Sequence, residues 1–184
     1  MGHDVPQVRK VRWAEAADAG DLVRLRAQML ADMGRSVDDD TDPWRASAEG
    51  WFADRLGRAR EFAAFVVDDP DDGVVACSAG ICDFHAPGPG NFTGVRGHVF
   101  NMSTFPAHRG RGYALACLAA LLEWFRDETE ARVINLNATS EGRPCTAPWA
   151  SPSPASLPSN SYSPSRALAT AGGAPEEEEG RFCY

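Results

Sequence analysis

The segment Thr104-Phe105-Pro106-Ala107-His108-Arg109-Gly110-Arg111-Gly112-Tyr113-Ala114 constrains the fold more than any other part of the chain. It follows a strand-like run at 97–103 and opens directly into an apolar, helix-like run at 115–125. Glycine has no side chain to hold a ligand off, so the main chain can approach an anion closely. The first N–H groups of a helix have no intrahelical partner and point out along its axis. A strand, a Gly/Arg turn and a helix in that order predict a cradle for a ligand carrying phosphate esters. Taken alone the segment is also readable as an arginine-rich turn that holds nothing, so its surroundings must decide.

The rest of the pattern supplies those surroundings. Residues 8–14 alternate as a first strand. Over 18–34, Leu22, Leu25, Met29, Leu30 and Met33 form a helical stripe, with Gly34 as the stop. Asp42 and Pro43 suit the N-cap and first position of a second helix at 43–56, which places Trp44 and Trp51 on one face. Residues 61–67 read as a buried strand, Asp68-Asp69-Pro70-Asp71-Asp72-Gly73 as a hairpin turn, and 74–83 as the next strand. A Pro/Gly-rich loop at 86–96 precedes a fourth strand at 98–103. Leu115, Leu118, Leu121, Leu122 and Phe125, with alanines between them, predict a helix buried on most of its surface. Residues 132–138 alternate as a fifth strand, giving the order β-α-α-β-β-β-α-β.

At 184 residues the chain has the length of one domain with a real core. Its formal net charge of −8 argues against nucleic acid as the main partner, because phosphate backbones select basic surfaces. The first residues, 1–7, contain no apolar run of the secretory kind, and no stretch reaches transmembrane length. These features predict a cytoplasmic protein that engages no membrane; a homodimer is compatible with them. Of the five cysteines, Cys77 and Cys82 share one strand and face opposite sides, so no disulfide framework is expected. Cys82 and His85 lack the second pair a zinc site needs, so no metal is expected. The acidic run at 38–42 lacks the glycine and closing glutamate of a calcium loop and reads as a solvated cap.

Arg109-Gly110-Arg111-Gly112-Tyr113-Ala114 resembles the Arg/Gln-x-x-Gly-x-Gly/Ala signature of the GNAT superfamily, the acyl-CoA-dependent N-acetyltransferases. Thr104-x-Pro106-x-x-Arg109 is similar to the end of that family's fourth strand, and the element order agrees as far as residue 138. The resemblance covers residues 8 to about 144. It implies an α/β (α+β) GNAT fold, a mixed and mostly antiparallel sheet with a strand–helix–strand crossover that binds CoA. It also implies acetyl-CoA as cosubstrate and a small-molecule or peptide amine as acceptor. Backbone N–H groups of Gly110, Arg111, Gly112, Tyr113 and Ala114 would then hold the pyrophosphate, helped by the charge of Arg109 or Arg111.

In the family the fourth strand also pairs with the pantetheine arm and polarises the thioester carbonyl through a backbone N–H. Met102, Ser103 and Thr104 are the candidates for that contact here. Removing such a donor typically costs ~3–4 kcal/mol. His98 is the first candidate for the base that deprotonates the amine, with Glu61 and Asp83 as alternatives. His108 is expected at the surface, and Asn135 and Asn137 are candidates to line the gap between the fourth and fifth strands. Trp44, Trp51 and Phe52 are readable either as an acceptor wall or as core.

Beyond Pro144 the composition changes. Residues 145–184 are rich in Ser, Pro and Ala, carry an acidic run at 176–179 and show no apolar period, which predicts a low-complexity, disordered tail after a domain at 1–144. Family members with a stretch like that at 137–144 continue as Leu-Tyr-x-x-Leu-Gly-Phe, whose tyrosine reprotonates the CoA thiolate. Reading the codons from Pro144 one base earlier permits Leu-Tyr-Gly-Ala-Leu-Gly-Phe. The second glycine of that string is forced, since the Trp149 codon ends in G and the Ala150 codon begins GC. A single lysine, Lys10, among the 18 basic residues points to a G+C-rich gene, where the permitted third bases are the expected ones. The expectation is therefore an N-acetyltransferase whose last helix and strands are missing through a shifted frame. The alternative is a catalytically silent CoA-binding or interaction module.

Overall fold

The computed structural model describes residues 11–37, 39–137 and 179–183. In chain order it contains β1 (Val11–Trp13), α1 (Ala19–Asp32), α2 (Pro43–Leu56), β2 (Phe62–Asp69), β3 (Gly73–Phe84), β4 (Val95–Thr104), α3 (Tyr113–Glu128), β5 (Val133–Asn137) and β6 (Glu179–Cys183). The six strands form one sheet in sequence order. Every neighbouring pair is antiparallel except β4 and β5, which are parallel because α3 carries the chain back between them.

This is the expected α/β architecture, with each predicted element present to within a few residues. One strand is additional. Glu179–Cys183 pairs with β5 and covers its edge, whereas the composition of 145–184 predicts no element there. The remainder of the expected tail, the stretch readable in a second frame included, falls on residues outside the described ones.

Local chemistry accounts for the boundaries. α1 ends where Gly34 takes φ +75. There the Gly34 N–H bonds Ala31 O and the Arg35 N–H bonds Leu30 O, each at 2.9 Å, which satisfies two of the helix's last carbonyls. α2 starts at Pro43 after Asp42, although the Asp42 side chain makes no capping hydrogen bond. α3 closes on Thr129, whose hydroxyl donates to Phe125 O at 2.7 Å and accepts from the Ala131 N–H at 3.1 Å.

The sheet is covered on both faces. One core joins Leu22 and Leu25 of α1 and Phe52 of α2 to Phe62, Ala64, Cys77 and Ala79 of the sheet. The other joins Leu118, Leu121, Leu122 and Phe125 of α3 to Ala63, Cys82, Val99, Ile134 and Leu136. Cys77 and Cys82 therefore face opposite layers, as their spacing predicts. α3 is buried or half-buried over most of its surface, as expected, with an exposed stripe that includes Ala116, Glu123, Arg126 and Asp127. Among the described residues no helix is long and apolar enough to cross a membrane.

One charged clamp ties β1 to the rest. The Arg12 guanidinium donates to both carboxylate oxygens of Asp68 at 2.6 and 2.9 Å and to both of Asp18 at 2.7 and 2.9 Å. Asp18 also accepts the Glu15 N–H at 2.7 Å. The Arg12 hydrogen bonds hold the Asp18 carboxyl below the usual carboxylate range. A lowered folded-state value means that the stabilisation is present above the unfolded value of about 4 and is lost as pH falls through the folded one. Asp18→Asn is expected to cost roughly 1–2 kcal/mol at pH 7. Urea midpoints of the two proteins should converge as pH drops below about 4.

Candidate functional site

The sheet opens at one place. β4 and β5 pair from Arg96↔Val133 to Val99↔Leu136 and then part, although β4 continues to Thr104. A bulge lies where they separate. Between the pairs Ala79↔Phe100 and Cys77↔Ser103, β4 spends one residue more than β3, and Asn101 takes φ +53. Asparagine tolerates that left-handed conformation better than most residues. Two hydrogen bonds hold Asn101 in the bulge. The Cys77 thiol donates to Asn101 O at 2.9 Å, and Asn101 Nδ2 donates to Leu22 O of α1 at 3.3 Å. Burial pushes the Cys77 thiol up, so it stays protonated and able to donate.

Past the bulge the backbone alternates regularly. The Phe105 N–H bonds Val75 O of β3 at 3.0 Å. Alternation therefore turns the N–H groups of Thr104 and Met102 to the open edge and that of Ser103 toward β3. The Ser103 side chain is buried, with Oγ unpartnered among the described residues.

The chain leaves β4 through a 3-10 turn, Pro106–His108, and enters α3 through Gly110 (φ +72) and Gly112 (φ +76). Gly112 is the N-cap, and its carbonyl accepts the Ala116 N–H at 3.0 Å. The N–H groups of Tyr113, Ala114 and Leu115 precede that first helical bond and have no intrahelical partner. A Cβ built on Gly110 or Gly112 meets nothing within 4 Å, so the space beside the turn is open. Backbone donors, left-handed glycines and open space together fit a phosphate-bearing group.

The two arginines divide. Arg109 Nε donates to Thr104 O at 3.0 Å and its Nη2 pairs with Asp32 of α1 at 2.5 Å, so it braces the turn against the sheet and α1. Arg111 is exposed and, among the described residues, bonds only Ala107 O, at 3.3 Å, leaving its charge available to an anion. His108 is buried, contrary to the expected surface position. Its Nε2 lies 2.9 Å from Asp72 and its Nδ1 3.7 Å from Asp69, which fastens the β2–β3 hairpin under the turn. Sequence reading missed this because the partners lie 36 positions or more away.

His98 is half-buried and stacked flat on Phe100, with centroids 6.1 Å apart and planes 6° apart. It pairs with Asn135 on the last rung but one before the strands part. Thr104 stands six positions further along the same strand. At ~3.3 Å per residue that is roughly 20 Å, so the two expected catalytic positions are not brought together. Glu61 pairs with Arg55 and Arg58, each at 3.7 Å, and Asp83 is exposed. Phe52 is core, Trp44 packs against that core, and Trp51 is half-exposed with its ring against Phe52, Phe62 and Phe100. Asn135 is half-buried beside His98, and Asn137 ends β5 at the mouth of the gap.

Comparison with known proteins agrees with this geometry. Residues 10–142 match the family model of the acetyltransferase (GNAT) domain. A predicted acetyltransferase with acetyl-CoA from Clostridium acetobutylicum superposes with TM-score 0.68 at 24% identity, over 83% of this chain and 96% of that one. A GCN5-related N-acetyltransferase from Ralstonia eutropha gives 0.62 at 22%, over 83% and 99%. Glucosamine-6-phosphate N-acetyltransferase from Arabidopsis thaliana gives 0.58 at 13%, over 85% and 99%. Comparison with curated protein sequences gives no match. With a family model spanning 10–142 and a sheet that parts where a donor would enter, the chain belongs to the GNAT acetyltransferases.

Proposed function

We propose that the chain moves an acetyl group from acetyl-CoA to an amine presented on the α1/α2 side of β4. The observation that carries this reading is the parting of β4 from β5 directly upstream of the Gly110/Gly112 turn. Backbone N–H groups over 110–114 and the Arg111 guanidinium would hold the pyrophosphate. Those of Met102 and Thr104 would receive the pantetheine arm and the carbonyl of the acyl group. The cosubstrate supplies an acetyl group activated as a thioester; the chain binds it, orients it and removes a proton from the amine.

His98 would serve that proton transfer through water rather than by contact. It stands four positions before Met102, about 13 Å along the strand. In this reading the amine approaches from the α1/α2 side, opposite Phe125, Leu118 and Met102.

The second reading, a silent CoA-binding module, is favoured by one observation. Cys145 and Thr146 stand where family members carry the Leu-Tyr pair. Both readings predict that acetyl-CoA raises the melting temperature. The chain as written and a version with the frame shifted back at codon 144 should then be compared for thiol release with a panel of amines. Placing the tyrosine acid is expected to raise turnover on the order of 100-fold or more. Stabilisation without turnover in either version would establish the silent module, and no stabilisation in either would refute both readings.

A further inference from the structure

Arg26 lies on the face of α1 that packs against β4, one turn beyond Leu22, whose carbonyl accepts the Asn101 side chain. Its guanidinium is half-buried and sits 3.5 Å from Asn101 Oδ1, at the outer limit of a hydrogen bond. A guanidinium carries five N–H donors and always its charge, so a half-buried one needs acceptors. The acids of α1 are already engaged: Asp21 pairs with Arg24 at 2.7 Å and Asp32 with Arg109 at 2.5 Å. The neighbouring polar groups are engaged as well, since Asn101 Nδ2 serves Leu22 O and the Cys77 thiol serves Asn101 O. Among the described residues no carboxylate reaches Arg26, although acids outnumber basic residues 26 to 18 in the sequence.

This cation therefore stands beside the bulge where β4 parts from β5, on the side of the sheet that α1 packs against. We propose that the acceptor amine also carries an anionic group, a carboxylate or a phosphate, and that Arg26 binds it. This rests on the acetyl-transfer reading for its place in a reaction, but not for the binding itself. A bidentate pair of guanidinium with either oxyanion would meet the unserved donors and fix the acceptor's orientation at the same time.

The test uses matched amines: O-phosphoethanolamine against ethanolamine, and β-alanine against β-alaninamide. Each is titrated by calorimetry into CoA-saturated protein and assayed for acetylation with acetyl-CoA. In the wild type, at least one anionic member is expected to bind and react at least tenfold better than its neutral partner, and the pair that shows it separates phosphate from carboxylate. Arg26→Gln should abolish that preference with the KM for acetyl-CoA unchanged within about twofold, and Arg26→Lys should keep part of it. Preference in binding without acetylation would support the role of Arg26 and refute acetyl transfer. Acetylation with no anion preference, or with a preference that survives in Arg26→Gln, would overturn the role of Arg26 and leave acetyl transfer standing. A rise confined to the KM for acetyl-CoA would overturn it too, by assigning Arg26 to the donor.

Discussion

Replacing both turn glycines, Gly110→Ala with Gly112→Ala, is expected to weaken acetyl-CoA binding at least 100-fold while the protein still folds. The two residues sit at φ +72 and +76, where an added Cβ costs roughly 1–2 kcal/mol of backbone strain each. Neither Cβ would meet an atom of the described residues within 4 Å. Strain should therefore appear in the melting temperature, whereas a loss of affinity reports the group that the open space accommodates. Gly73→Ala is the control. It too has a positive φ, of +69, with nothing within 4 Å, but it lies in the β2–β3 hairpin. It should lose stability to a similar degree and keep its affinity for acetyl-CoA. Equal affinity losses in the control and the turn variant, measured by calorimetry, would remove the turn from the binding site.

Gly97→Ala is expected to destabilise the fold by about 2–3 kcal/mol, a fall of roughly 5–10 °C in Tm for a chain of this size. The cause differs from that in the turn, since no unusual backbone angle is involved. A Cβ on Gly97 would stand 2.7 Å from Phe125 Cε1 and 3.0 Å from Ile134 Cγ1. Gly80 meets the same ring, with a Cβ 2.7 Å from Phe125 Cζ. The two glycines form a flat seat on β3 and β4 that lets α3 lie close to the sheet, with Phe125 fully buried between. Phe125 is rigid and enclosed, so it cannot swing aside as a flexible surface chain would. Phe125→Leu should relieve part of the Gly97→Ala penalty, and a double-mutant cycle should show coupling above about 0.5 kcal/mol. Strict additivity would mean that the seat is not what Gly97 provides.

These two experiments also mark how far the sequence reaches. The turn glycines are legible because their chemistry is local: a strand, two glycines and a helix within a dozen residues suggest an anion cradle, which the surrounding element order then supports. Element order and type are legible for a related reason, since apolar periods of two and of about 3.6 are written along the chain itself. Gly80 and Gly97 carry no such signal. Each looks like a weak point in a strand until Phe125, brought in from a helix later in the chain, is laid across both. The same holds for His108, which reads as a loop histidine until Asp69 and Asp72 are folded beneath it, and for Asn101, whose side chain reaches α1 across 79 positions.

Arg109 and Arg111 show the division within one motif. Their spacing alone places two positive charges beside the glycine turn. Only the position of Asp32 at the end of α1 decides that Arg109 is bound as a brace and Arg111 left free. By itself the sequence determined the order of elements and the strand–glycine turn–helix stretch proposed to hold the donor, because those depend on residues adjacent in the chain. The tertiary structure alone decided where β4 parts from β5, which N–H groups face that open edge and which arginine of the turn is held by Asp32. Those depend on strand register and helix packing, which bring together residues that no local pattern relates.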